Sequence, residues 1–256
     1  MYFQNILPFK NTIMKKTLLA TLVISLFLGI IACQKVKNQV MNNADRVAVA
    51  YDEKEAMLKG LFAKRQVKWN NFELFFRAFK QEESLEVWGK SRDSETFVLM
   101  KTYSFCTNSG TLGPKRKEGD RQIPEGFYTI NRFNPKSSFY LSLGLNYPNA
   151  SDLILSDKTA PGSDIFIHGA CVSVGCISIT DDKIKEVYLL ANEAKKHGQN
   201  DIPVHIFPFK MTDLNIKNGG AAYRDFWKNL KVGFDFFEQK NRLFEVKVDK
   251  GGRYIL

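Results

Sequence analysis

Apolar and polar positions follow several regimes along the chain. Residues 17–31 form a near-continuous apolar run behind Lys15 and Lys16. Its length suits a signal-peptide core and falls short of a membrane span. Residues 38–62 are polar and charged, with Val40, Met41, Val47, Val49, Met57, Leu58 and Leu61 at loosely helical spacing. This predicts a linker and an amphipathic helix packed on the domain, with a partner-binding helix as the alternative. From Trp69 the period shortens. Residues 72–79 read as a strand, and 84–88 and 97–103 as a hairpin around Ser91-Arg92-Asp93-Ser94. Pro124-Glu125-Gly126 launches a strand over 123–130. Further strands are expected at 138–143, at 165–167 ending on His168, and at 203–209 near the sheet centre. Ile184, Val187, Tyr188, Leu190, Ala191 and Ala194 form a helical stripe over 182–196, opened by Thr180-Asp181-Asp182 and closed at His197-Gly198. An aromatic amphipathic helix follows over 223–238, then a terminal hairpin around Gly251-Gly252. Many short strands and few helices predict an α+β fold with a mainly β core and flanking helices.

At 256 residues the chain holds one catalytic domain with extensions. The formal charge is +10, and removing the three lysines of residues 1–32 leaves 34 basic against 27 acidic residues, or +7. That surface suits an anionic polymer or an envelope as partner. The basic residues are scattered, and no zinc-finger or RNP pattern is present, so no nucleic-acid partner is implied.

The apolar run ends at Ile30-Ile31-Ala32-Cys33, which resembles a bacterial lipobox. The expectation is an exported, periplasmic protein, lipid-anchored to the membrane through Cys33, with Met14 as an alternative start. The expected organisation is a lipoprotein signal over 1–33, a helical stem and linker over 34–80, a catalytic domain over 81–210, and a C-terminal extension packing on it over 211–256.

The chemistry concentrates after the strand at 165–167. His168 is one of three histidines, and Cys176 follows eight residues later behind Gly175. A thiol near pKa ~8.5 is mostly protonated at neutral pH, and an adjacent imidazole can take its proton. Gly169 and Gly175 allow a tight turn, Ser173 keeps it small, and the backbone N–H groups of 173–176 are candidates for an oxyanion hole. The helix start at 180–182 would favour thiolate. Other readings stay open. Both groups could be inert core residues. His168, Cys171 and Cys176 could hold zinc, although a structural site usually takes four ligands; no metal or cofactor is expected. Lys115, Arg116 and Lys117 either bind acidic substrate groups or form a solvated loop. His205 reads as a sheet residue.

Gly119-Asp120-Arg121-Gln122-Ile123-Pro124-Glu125-Gly126-Phe127-Tyr128, Ile167-His168-Gly169 and Ser173-Val174-Gly175-Cys176-Ile177 together resemble the L,D-transpeptidase (YkuD-type) catalytic domain of bacterial cell-wall enzymes. Ser109-Gly110-Thr111-Leu112-Gly113-Pro114-Lys115, residues 167–176, 204–209 and 226–230 resemble the branch that includes the amidase detaching Braun's lipoprotein from peptidoglycan. The resemblance covers roughly 84–238. It implies Cys176 as nucleophile, His168 as proton relay, and peptidoglycan stem peptides as substrate, attacked at a bond involving diaminopimelate. Lys115, Arg121 and Tyr147 are the candidate substrate contacts. Cys171 is left a structural or redox role, including a disulfide with Cys106. Typical members carry a longer loop before the cysteine, a His two before it and an Arg two after it. Here Val174 and Ser178 stand there. These departures fit the amidase-like branch and keep hydrolysis, by an amidase or carboxypeptidase, beside transpeptidation. The remaining alternative is a non-catalytic peptidoglycan-binding lipoprotein.

Overall fold

The computed structural model describes residues 45–255, and Arg46–Leu256 is one compact unit. The lipobox, Cys33 and the first part of the stem lie outside the described residues. Helix α1 (Arg46–Lys64) precedes strands β1 (Phe72–Phe79), β2 (Ser84–Ser91), β3 (Val98–Ser104), β4 (Gly126–Asn134) and β5 (Ser142–Leu145). Then come α2 (Ala150–Leu155), β6 (Phe166–His168), β7 (Ile177–Ser178), α3 (Asp181–Lys196), β8 (Ile202–Phe207), α4 (Asp213–Asn218), α5 (Arg224–Lys240), β9 (Lys247–Val248) and β10 (Tyr254–Ile255). The last two form a small hairpin; the others make an eight-stranded sheet in the order β3-β2-β1-β8-β4-β5-β6-β7. The fold is mixed α+β.

Both faces of the sheet centre are buried, which is why 72–79 reads as a nearly continuous apolar run rather than an alternation. Phe72, Leu74 and Phe76 pack with Leu58 and Phe62 of α1 and with Ile184, Val187 and Leu190 of α3. Phe79 and Phe207 turn the other way, onto Trp227, Leu230 and Phe234 of α5. Burying each such side chain contributes roughly 1.5–3 kcal/mol. The 211–256 segment thus supplies one wall of the core.

The sheet also corrects the expected boundary at residue 80. β1 pairs with β2 on one side and, in parallel, with β8 on the other, so the catalytic fold begins before residue 81. Two short helices escape helical periodicity because six residues hold less than two turns. α2 is set instead by a capping box between Asn149 and Asp152, and α4 by the Thr212 hydroxyl. The strand expected at 138–143 begins at Ser142; Tyr140 has φ +72, which breaks extended pairing before it.

One buried ion pair bears on the site. Lys80 Nζ lies 2.9 Å from Glu125 Oε1 and also donates to the Gly113 and Ile123 carbonyls. Glu125 in turn accepts from Gly113 N–H and Trp227 Nε1–H. These bonds hold both ends of the loop that carries Lys115 and Gln122 past the nucleophile turn. Removing one partner would strand a buried charge, at a cost of about 3–5 kcal/mol.

Candidate active site

β6 and β7 pair in parallel, with Ile167 opposite Ile177 and His168 opposite Ser178. Ile167 and Ile177 are both fully buried in the core beneath α1 and α3. Alternation along a strand therefore turns His168, and Cys176 one residue before β7, to the opposite face. His168 is buried and stacks on Phe139, ring centroids 4.6 Å apart. Its Nδ1 meets the Gly169 carbonyl. A carbonyl accepts only, so Nδ1 carries the proton and the neutral ring presents the Nε2 lone pair. Burial holds the imidazole pKa below its usual 6.5, against the Gly169 bond.

Cys176 sits on a turn made by two serines. The Ser173 hydroxyl accepts from the N–H groups of Cys176 (3.0 Å) and Gly175 (3.3 Å) and donates to the Cys176 carbonyl (2.8 Å). Ser109, from a distant loop, accepts from Gly175 N–H at 2.8 Å and meets Ser173 Oγ at 3.1 Å. Gly175 has φ +115, and a Cβ there would stand 3.0 Å from the Gln122 carbonyl. The thiol is half-buried, 3.8 Å from the Asp164 carbonyl. Burial pushes it above its usual 9.0; the Phe166 N–H and the Lys115 charge pull it down by less.

Residues 85–206 match the family model of the L,D-transpeptidase catalytic domain. Over 186 residues the chain is 37% identical to YafK of Escherichia coli (strain K12), a protein named provisionally as an L,D-transpeptidase; the match covers 72% of this chain and 73% of that one. The chain belongs to the L,D-transpeptidase family. YafK of Escherichia coli O157:H7 gives the same figures. Among solved structures, the helical cell shape determining protein Pgp2 of Campylobacter jejuni overlaps 66% of this chain and 57% of its own, at 17% identity and a TM-score of 0.43. L,D-transpeptidase 1 of Mycobacterium tuberculosis overlaps 53% and 62%, at 15% identity and 0.28.

In this L,D-transpeptidase-family chain several expected features take a different form. The N–H groups of Gly175 and Cys176, expected as oxyanion donors, are already bonded to serine hydroxyls; Ser173 is the brace of the turn. Gly169 does not carry the positive φ. Ala170 does, at +59, while Gly169 is needed for space, since a Cβ there would meet Asp181 Oδ1 at 2.6 Å and the Phe139 carbonyl at 2.9 Å. Asp181 and Asp182 occupy the first turn of α3, Asp181 accepts from Ala170 N–H, and burial pushes the Cys176 thiol up rather than down.

Cys106 and Cys171 are joined in a disulfide. Cys106 N–H also bonds the Ser178 carbonyl at 2.8 Å, and Thr107 bridges to Ser178. The loop that delivers Ser109 is thereby stitched to the cysteine turn. Cys171 consequently has no thiol to offer as nucleophile or zinc ligand, and among the described residues no group of three or more His, Cys, Asp or Glu is placed for a metal.

The substrate-contact candidates separate. Lys115 is buried rather than solvated, with Nζ 2.7 Å from Asp120 and 3.0 Å from the Lys117 carbonyl. Arg116 pairs with Asp152 at 3.1 Å. Tyr147 is buried, donating to the Pro161 carbonyl at 2.8 Å, so it is a packing residue. Arg121 is exposed at φ +58. His205 faces a separate cavity of about 350 Å³ with Phe127, Phe244 and Tyr254. Ser109, Arg132 and Asp164 are the site neighbours that the sequence did not single out.

Proposed function

We propose that this cell-wall enzyme transfers acyl groups on peptidoglycan stem peptides, with Cys176 as nucleophile and His168 as base. The observation that carries the reading is the shared face of His168 and Cys176, with the Gly169 carbonyl fixing the proton on Nδ1. At rest both groups are neutral, since burial lowers the imidazole pKa and raises that of the thiol.

As Sγ attacks the amide carbonyl, its proton passes to Nε2. Collapse of the tetrahedral intermediate breaks the C–N bond, and the imidazolium returns the proton to the leaving amine. The thioester is then opened by an acceptor amine, which loses its proton through Nε2 as the thiol re-forms. Water in the place of that amine would give hydrolysis. The Cys33 lipid anchor completes the proposal, resting on the sequence of residues 14–33.

Incubation with defined disaccharide peptides, with products separated by mass, tests the reading. Cross-linked or exchanged stems support transfer, and trimmed stems support water as acceptor. Input left unchanged by active-site-intact protein would overturn both.

A further inference from the structure

The register of four strands places one row of side chains beside the nucleophile. Arg132 on β4 is opposite Gly144 on β5, Gly144 is opposite Phe166 on β6, and Phe166 precedes the Ile167–Ile177 pair by one residue, the offset at which Cys176 stands. Gly144 has no side chain to hold Arg132 away. A Cβ there would lie 2.9 Å from Arg132 Nε and 3.1 Å from the Phe166 ring. The Arg132 guanidinium therefore lies across β5, its carbon 4.8 Å from the Phe166 ring centroid, and its Nη1 donates to Asp164 Oδ1 at 2.8 Å. Asp164 is the residue whose carbonyl faces the Cys176 sulfur, and it is held at φ +57.

This pair is built differently from the other charges around the thiol. Lys115 is buried and committed to Asp120, whereas Arg132 and Asp164 are 47% and 66% exposed. An ion pair so open to water contributes little to stability, and its two ends can exchange partners at small cost. The arrangement offers a planar cation suited to a carboxylate and, beside it, an anion suited to an ammonium.

We propose that Arg132 and Asp164 form a specificity subsite for a zwitterionic amino-acid centre, the free amino and carboxyl groups at the far end of a diamino acid whose other carbonyl is attacked by Cys176. This rests on the acyl-transfer reading above. With the reacting carbonyl at the sulfur, a side chain of three methylenes extends roughly 5–6 Å, and Asp164, the partner of Arg132, is the residue whose carbonyl lies 3.8 Å from that sulfur. The substrate carboxylate takes the guanidinium and the substrate ammonium takes the Asp164 carboxylate, giving four charges of alternating sign.

The test uses the Cys176→Ala protein, which cannot turn over, and two tetrapeptides titrated by calorimetry. One carries diaminopimelate at the third position; the other carries lysine, which lacks the distal carboxylate. Arg132→Ala is expected to weaken binding of the diaminopimelate peptide about 10- to 100-fold, the loss of one charged hydrogen-bonded pair, and to leave the lysine peptide nearly unchanged. Arg132→Lys should recover part of the loss. Asp164→Asn, which keeps the side-chain shape, should weaken both peptides, because both present an ammonium. Equal effects of Arg132→Ala on the two peptides, or none on either, would overturn the subsite while leaving the acyl-transfer reading standing. A parent protein that binds neither peptide would overturn both.

Discussion

Ile167 pairs with Ile177 across the parallel strands β6 and β7, and this pairing puts His168 and Cys176 on one face of the sheet. Burial of the two isoleucines locks the register, since a slip of either strand by one residue would turn its isoleucine to the other face. Cys176→Ala is accordingly expected to abolish product formation in the muropeptide assay with an unchanged melting temperature. Cys171→Ala should retain activity on folded protein. It opens a disulfide spanning 65 residues, so its denaturant midpoint should fall by the equivalent of roughly 4 kcal/mol. Complete loss from both at equal folded fraction would remove Cys176 from its assigned role.

The neutral resting pair has a titration signature. Because burial pushes the Cys176 thiol above 9.0, the pH midpoint for alkylation by iodoacetamide should lie above 9. Because burial holds His168 below 6.5, the acid limb of kcat/KM should have its midpoint below 6.5. An alkylation midpoint near neutrality would instead reveal a preformed thiolate.

Ser173→Ala removes the hydroxyl that binds two N–H groups and one carbonyl of the nucleophile turn. The expected result is a fall in kcat of about 10- to 100-fold with KM little changed, the pattern for a lost alignment of the reacting atom. A rise in KM at constant kcat would place Ser173 in substrate binding instead.

At the adjoining pair of small residues, opposite substitutions should have opposite outcomes. Gly169→Ala forces a Cβ against Asp181 and the Phe139 carbonyl, costing about 1–3 kcal/mol and displacing the carbonyl that orients His168. Ala170→Gly relieves a left-handed residue at φ +59 and should be neutral or mildly stabilising. Thermal melts and turnover measured on both variants check this directly.

His205 gives a stability prediction with a definite sign. It is buried among Phe75, Phe127 and Phe244, and burial lowers its pKa to about 3 from 6.5. Between those values the unfolded chain holds a proton that the folded one does not. Stability therefore drops as pH falls from 6.5 toward 3, by up to about 1.4 kcal/mol per pH unit. Denaturant titrations of the parent and His205→Phe should diverge below pH 6.5, with the variant less acid-sensitive. The comparison cancels groups present in both, including Asp152, which burial pushes up to about 6 and whose effect runs the opposite way.

Much of the fold is written in local pattern. The 84–103 hairpin, the helix behind Thr180 and the aromatic α5 each carry a period that survives burial on one face. The β1 run reads as a strand but not as a central one, because its parallel partner lies far along the chain. At the site, the His168 and Cys176 pair is legible because both sit in one short stretch. The serine brace is only half legible: Ser173 is local, while Ser109 comes from 66 residues away through a loop that the disulfide places. Arg132 is hidden for a different reason. Its reach depends on the empty position at Gly144, and no spacing rule relates those two residues. Lys115 misleads because three consecutive basic residues look solvated, whereas Asp120 and the Gly162 backbone enclose the first of them.

The position of β8 also constrains how the molecule comes into being. β8 is wedged between β1 and β4, with Phe76 opposite Val204 and Gly126 opposite Ile206. Until residue 207 has been delivered, β1 presents an open, phenylalanine-rich edge on the side that β8 takes. Early strands can form hairpins with near neighbours, but the middle of the sheet closes only on a contact spanning 128 residues, a slow class of event. A partly delivered chain is thus a template for pairing with other chains. Truncation anywhere before β8 should accordingly yield aggregate rather than a smaller active enzyme.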